Sequence, residues 1–274
     1  MVRSIRELRS ASRQLAVDEG FNPRDADLLL SDAIGKPLSW ILANDLESIE
    51  PEHLANFESW LERRRQREPV QYIRGHCEFY GRDFSVDQRV LIPRPETELL
   101  VEHALEGLPT GARVVDVGTG SGCIAITLSL ERRDLEVHGI DVSFNALIAA
   151  RKNGKQLDAS VHWLASDMTS SLRGSFDAVV SNPPYVARSE WQGLQTEVRE
   201  YEPALALSPG EDGLRLIREL LHRSRSMLRP GGRLLLEIGF NQQQELLNEA
   251  LKAGWKSIRF HDDLAAIPRV VVLS

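Results

Sequence analysis

The spacing of apolar positions divides the chain into two textures. Up to about residue 70 apolar residues recur every three or four positions, the period of a helix face packed on a core. Ile5, Leu8, Leu15 and Ala16 mark a first helix, and Ser4 with Glu7 has the spacing of a capping box. Asn22 and Pro23 read as cap and first residue of a second helix carrying Leu28, Leu29 and Leu30, which Gly35 stops. Ser39 is expected to cap a short third helix, and Pro51 to open a fourth with Leu54, Phe57 and Leu61 on one stripe. That helix runs out through Arg63, Arg64, Arg65 and Arg67 before Pro69, a basic end that suits the helix dipole and is expected to be solvated. Residues 1–75 are thus predicted to form a helical bundle, too small for a comfortable core of its own.

Between residues 76 and 95 the period falls to two. Glu78 to Val86 and Arg89 to Ile92 alternate like strands, with Asp87-Gln88 between them as the turn, which predicts a β-hairpin linking the bundle to the rest. From residue 96 to 274 helices and strands interleave. Strands are predicted at 113–117, 136–141, 160–164, 176–181, 233–238, 255–260 and 269–273, with the clearest helices at 214–228 and 242–253. This order predicts an α/β fold: a doubly wound, seven-stranded, mainly parallel sheet with right-handed crossovers.

Ligands of such sheets bind beyond the carboxyl ends of the strands. Three of those ends carry unusual chemistry. After Asp116 and Val117 comes Gly118-Thr119-Gly120-Ser121-Gly122, whose glycines allow a tight turn and close backbone approach, with free N–H groups from the helix that follows. The next strand ends in Asp141, a carboxylate that can accept both hydroxyls of a ribose, so the ligand should contain a nucleoside. The same residues, taken singly, also suit helix N-caps. The 176–181 strand runs into Asn182-Pro183-Pro184-Tyr185. Two prolines stiffen the backbone and leave its carbonyls free to accept, so Asn182 and Tyr185 project from a rigid bracket.

Composition narrows the function classes. The 274 residues are 42% hydrophobic and 27% charged, ordinary for a globular protein, with no apolar run near the ~18 residues of a membrane helix. Net charge is −7, which argues against duplex nucleic acid as the main ligand. Cys77 and Cys123 lack metal-ligand spacing and fit a reducing cytoplasm, and the seven histidines show no i, i+4 pairing, so no metal is expected. Trp163, Trp191 and Trp255 read as packing residues rather than a stacking platform for bases.

The glycine turn after Asp116, the acid at 141 and Asn182-Pro183-Pro184-Tyr185 resemble the seven-stranded S-adenosylmethionine-dependent methyltransferases. The motif at 182–185 is similar to that of enzymes methylating a planar NH₂ group on adenine, cytosine or glutamine. With the helical N-terminus, Glu78-Phe79-Tyr80-Gly81, Leu91 through Glu98, and Glu202-Pro203 through Gly213, the whole chain resembles the protein-(glutamine-N5) methyltransferases of bacterial peptide chain release factors. That resemblance implies a cytoplasmic enzyme binding S-adenosylmethionine through Gly118, Thr119, Gly120, Ser121, Gly122, Asp141, Asp167, Met168 and Asn182, without a metal. It implies that Asn182, Pro183, Pro184 and Tyr185 receive the glutamine of the release factor's Gly-Gly-Gln motif, with Asn182 and Tyr185 catalytic. Release factors would be the partners, docked through residues 1–75, with neither nucleic acid nor membrane required. Arg94 and Glu96 are open between a site role and a structural hinge. Three other functions fit the core motif: methylation of a ribosomal-protein glutamine, methylation of a nucleic-acid amino group, and a cofactor-binding scaffold without turnover.

Overall fold

A computed structural model describes residues 4–167, 175–208 and 210–274; Met168, expected beside an adenine, lies outside them. The chain divides into two compact units, Met1–Gly75 with Gln195–Tyr201, and His76–Leu194 with Glu202–Ser274. The hairpin region expected to be a separate linker belongs to the second unit, and residues 195–201 leave that unit for the first.

The first unit holds α1 (Ile5–Glu19), α2 (Pro23–Ile34), α3 (Leu38–Ala43), α4 (Pro51–Arg65) and α5 (Val70–Arg74). The capping box at Ser4 and Glu7 is formed, and Asn22 caps α2 at the Arg24 N–H. Helix α3 starts one residue before Ser39, at a Pro37 cap without a side-chain bond. Ile5, Leu8, Leu29, Leu30, Ile41 and Phe57 make the core, the larger of them each contributing ~1.5–3 kcal/mol by leaving water. The arginine run is a solvated end only in part: Arg65 is exposed and Arg63 and Arg67 half-buried. Arg64 is buried, with Nε 2.8 Å from Asp25 Oδ2, Nη2 2.9 Å from Glu197 Oε1 and its guanidinium over the Phe21 ring. Arg63 pairs with Glu68 and Arg65 with Glu19 and Glu62. Its acidic partners are spread along the chain, which is why the run alone reads as surface.

The second unit opens with an antiparallel hairpin, β1 (His76–Phe79) and β2 (Arg82–Ser85), turning at Tyr80 and Gly81. Both turn residues have positive φ, 52° and 68°, as a type I′ turn requires. Asp87-Gln88 is therefore not the hairpin turn, and residues 89–92 form no strand. There follow α6 (Thr97–Leu105), β3 (Arg113–Val117), α7 (Cys123–Glu131), β4 (Glu136–Asp141), α8 (Phe144–Gln156), β5 (Val161–Ala165) and β6 (Phe176–Ser181). After α9 (Thr196–Tyr201) in the excursion come α10 (Arg215–Met227), β7 (Leu228–Glu237), α11 (Gln243–Lys252), β8 (Ile258–Asp262) and β9 (Pro268–Leu273).

Seven strands of the described residues form one sheet in the order β5-β4-β3-β6-β7-β9-β8, parallel except where β9 pairs with β7 and β8. Successive residues of a strand point to opposite faces, so Val114, Val180 and Leu235 join the core under α6 and α7, while Val115, Val179 and Leu234 join that under α10 and α11. The apolar runs of β3, β6 and β7 are buried on both sides, as parallel strands must be. The chain works outward from β3 to β5, then returns to β6 on the other side of β3. Strand order reverses between β3 and β6, which places the carboxyl ends of both beside one crevice.

Candidate active site

The glycine turn is held by bonds that its sequence dictates. Gly118, Gly120 and Gly122 have φ of 74°, 55° and 83°, and the Gly118 and Thr119 N–H groups each donate to the Ile140 carbonyl at 2.9 Å. Asp116 is fully buried below the turn; its Oδ2 accepts from Thr119 Oγ1 at 2.6 Å and from the Ala125 N–H at 3.2 Å. Burial pushes the Asp116 carboxyl up to about 7. Buried Asn153 donates to the Ser121 carbonyl at 2.9 Å and exchanges bonds with the backbone of Ser85, tying the turn to the hairpin. Gly122 has a packing reason: an added Cβ would stand 2.9 Å from Ile126 Cδ1 and 3.0 Å from the Trp163 ring. Trp163 thereby fills a packing role against Gly122, Gly139 and Gly154.

Asp141 ends β4 beside this turn. Its Oδ2 accepts from the Gly120 N–H at 2.9 Å and its Oδ1 from the Ser143 N–H at 2.8 Å. A carboxylate has about four lone-pair sites, so these two bonds leave capacity for two more donors. Desolvation raises its pKa, against the pull of those backbone N–H groups.

Gly118, Gly120, Asp141, Asp167, Asn182, Pro183 and Pro184 line one cleft of about 220 Å³. Thr119, Ser121 and Gly122 are not in its wall: they support the turn from inside. The cleft also takes residues that the sequence patterns did not mark. Val142 and Ser143 continue from Asp141, Arg89 to Leu91 come from the segment after the hairpin, and Pro203, Leu205, Ala206, Arg215 and Leu216 form another wall. Leu91 and Pro203 lie in stretches that carry the family resemblance, but their place in the wall depends on the fold. A Cβ on Gly118 would meet no protein atom within 4 Å, so the space over the turn belongs to the cleft. Backbone turn, ribose-capable carboxylate and exposed apolar Val142 suit a ligand with a nucleoside and a flexible polar end.

Asn182 and Tyr185 are fixed from below. Ser181 Oγ donates to the Val117 carbonyl at 2.6 Å, locking β6 to β3 where the motif starts. Asn182 Nδ2 donates to Thr97 Oγ1 at 3.1 Å. Tyr185 lies partly buried beside Glu237, with its hydroxyl at a long 3.5 Å from Oε1; burial followed by the Glu237 charge pushes the phenol up. Gln242 Nε2 donates to the Tyr185 carbonyl at 3.0 Å, and Gly213 is needed because a Cβ would stand 2.4 Å from that oxygen. Glu202 is buried and clamps the segment after the hairpin: Oε1 is 2.5 Å from Arg94 Nη2 and Oε2 accepts from the Ile92 N–H at 3.2 Å. Arg94 thus has a structural partner, whereas Glu96 is exposed. Among the described residues no group of three or more His, Cys, Asp or Glu is placed to hold a metal ion.

A parallel sheet of this order, with a ligand cleft at the reversal point, is the architecture of class I methyltransferases, and comparison with known proteins agrees. The family model Methyltransferase small domain matches residues 95–199, and PrmC N-terminal domain matches residues 8–75. A methyltransferase from Pyrococcus furiosus is similar in structure at a TM-score of 0.54 and 16% identity, over 80% of this chain and 98% of that one. The Thermus thermophilus 16S rRNA N2 G1207 methyltransferase, solved with AdoMet and guanosine, gives 0.52 at 20% identity, over 73% of this chain and 49% of that one.

Sequence relatives are more specific. The release factor glutamine methyltransferase of Koribacter versatilis is 40% identical over 96% of this chain and 95% of its own length, and that of Neisseria gonorrhoeae 44% identical over 77% and 78%. The chain belongs to the release factor glutamine methyltransferase family, and is an enzyme.

Proposed function

We propose that this chain transfers a methyl group from S-adenosylmethionine to the side-chain N5 of the Gly-Gly-Gln glutamine in peptide chain release factors. The observation that supports it most is the shared cleft, in which Asn182, Pro183 and Pro184 stand beside Gly118, Gly120 and Asp141. When bound there, the cofactor supplies an electrophilic sulfonium methyl. Asp141 would hold its ribose and the close-lying backbone of Gly118 and Gly120 would face its polar end, while Val142 covers an apolar face.

The residues of the chain do the positioning. A carboxamide nitrogen is a poor nucleophile because its lone pair is delocalised into the carbonyl. Asn182 Oδ1 and the Pro183 carbonyl accept the two N–H bonds of the glutamine amide, which lets its nitrogen pyramidalise and aims the lone pair toward the methyl donor. Alignment of this kind draws on the ~7–11 kcal/mol available from orientation. The same two acceptors favour the positive charge that grows on nitrogen, an interaction stronger in the transition state than before it. Tyr185 offers a π-face to that charge. Residues 1–75 would dock the protein substrate.

The test is transfer of labelled methyl to purified release factors, ribosomal proteins and RNA in parallel. Label is expected in release factors alone; label in RNA or in a ribosomal protein instead would replace this reading with one of its rivals. Asn182→Ala should leave cofactor affinity nearly unchanged and cut turnover at least ~10²-fold, as loss of an aligned transition-state partner does.

A further inference from the structure

Two residues outside the Asn-Pro-Pro-Tyr motif lie directly behind it. Thr97 is the first residue of α6 and Glu237 the last of β7; each is 2% exposed. Thr97 Oγ1 is 2.6 Å from Glu237 Oε2 and 3.1 Å from Asn182 Nδ2. A hydroxyl has one proton, and an ionised carboxylate only accepts. With Glu237 ionised the Thr97 proton is committed to it, at a length usual for a hydroxyl on a carboxylate. Thr97 can then only accept from Asn182, and Asn182 can donate only through Nδ2. The carboxamide is held one way round, with Oδ1 turned from Thr97.

We propose that Thr97 and Glu237 form a positioning relay that fixes the Asn182 carboxamide, leaving Oδ1 as its free acceptor for the substrate amide. The relay rests on the function proposed above, since it matters only if Asn182 must accept. It also gives the buried Glu237 a purpose that packing does not. The carboxylate supports both side chains of the bracket, Asn182 through Thr97 and Tyr185 by its long contact at 3.5 Å.

The direction of the relay is fixed only while Glu237 is ionised. A neutral Glu237 can donate to Thr97, which frees the Thr97 proton for Asn182. The carboxamide must then offer Oδ1 to Thr97 and turn Nδ2 to the substrate, where donor would meet donor. Burial pushes the Glu237 carboxyl up to about 7; the nearby Glu96 acts in the same direction, while Thr97, Arg269 of β9 and the Tyr185 hydroxyl pull it down. The working form is the ionised one, so turnover should fall as pH drops through the neighbourhood of 7.

Two readouts test this. The first is steady-state methylation of a release factor between pH 6 and 8.5. Thr97→Val, which keeps shape and removes the hydroxyl, should lower kcat on the order of 10–100-fold, as for other buried partners that orient a working side chain. Its KM for the release factor and its affinity for S-adenosylhomocysteine should stay within about twofold, and Thr97→Ser should restore most of the loss. Glu237→Gln carries a carboxamide that can accept from Thr97 or donate to it and does not titrate, so it should show no acid limb near neutrality. The second readout needs no acceptor: the side-chain amide resonances of Asn182, in ¹⁵N-labelled protein with S-adenosylhomocysteine. In wild type they should titrate near pH 7, and in Glu237→Gln they should be flat. Titrating resonances without methylation of any release factor would retain the relay and remove the substrate reading. Methylation with wild-type kcat in Thr97→Val, failure of Thr97→Ser to rescue, or an unchanged acid limb in Glu237→Gln would overturn the relay.

Discussion

Removing the Asp141 side chain separates its role in the glycine turn from the role proposed for it at the cofactor ribose. In the free protein Asp141→Ala deletes the acceptors of the Gly120 N–H at 2.9 Å and the Ser143 N–H at 2.8 Å. A hydrogen bond to a charged group is worth ~1.5–3 kcal/mol, so two set a ceiling of about 3–6 kcal/mol. Asp141 lines an open cleft and water can reach both N–H groups, which brings the expected loss of stability to about 1–3 kcal/mol. The cofactor meets a second loss, because its ribose hydroxyls find no charged acceptor. That loss should weaken binding by a further ~1–3 kcal/mol, a factor of about 5–150. Calorimetric titration with S-adenosylhomocysteine measures the second loss and thermal denaturation the first. Asp141→Asn, which keeps one oxygen, should fall between wild type and Ala in affinity. An Asp141→Ala protein that melts several degrees lower yet binds S-adenosylhomocysteine with wild-type affinity would show that Asp141 only shapes the turn, and would refute the ribose assignment.

Two further perturbations act on other parts of the site. Gly213→Ala places a Cβ 2.4 Å from the Tyr185 carbonyl at a residue with φ of 70°, so it should displace Tyr185 and lower turnover at least ~10-fold. Cofactor affinity should change less than about twofold, since Gly213 touches neither Asp141 nor the glycine turn; equal loss of both in kinetics and calorimetry would contradict this. Asp116 has a folded-state carboxyl raised to about 7 by burial, well above its unfolded value, so its contribution to stability is fully present below about pH 4 and is lost as pH rises through 7. Thermal melts should show Asp116→Asn with a flatter stability profile between pH 4 and 8 than wild type; identical profiles would place the Asp116 pKa elsewhere.

What the chain spells out locally, it spells out well. The caps at Ser4 and Asn22, the glycines at 118–122 and the apolar runs of β3, β4 and β6 depend on neighbours within a few residues, and the strands at 113–117, 136–141 and 176–181 fall as their patterns require. The hairpin was displaced because Asp87-Gln88 has ordinary turn chemistry, while the actual turn asks Tyr80 to adopt positive φ, which its side chain does not advertise. Long-range partners are where sequence reading ends. Arg64 is buried because Asp25 and Glu197, 39 and 133 residues away, close around it. Thr97 and Glu237 lie 140 residues apart and carry no motif that joins them, so the support of Asn182 becomes visible only once α6 and β7 are packed together. Much of the cleft wall, from Val142 to Leu205, has the same character: ordinary residues brought to the cleft by the fold.

In the proposed mechanism Asn182 and the Pro183 carbonyl hold a release-factor glutamine for methylation. The decisive measurement is mass spectrometry of a release factor incubated with this enzyme and S-adenosylmethionine, beside the same factor with its Gly-Gly-Gln glutamine changed to alanine. One methyl group on that glutamine in the first, and none anywhere in the second, is the predicted result. A methyl group on both factors, or on neither while another acceptor is modified, would contradict it.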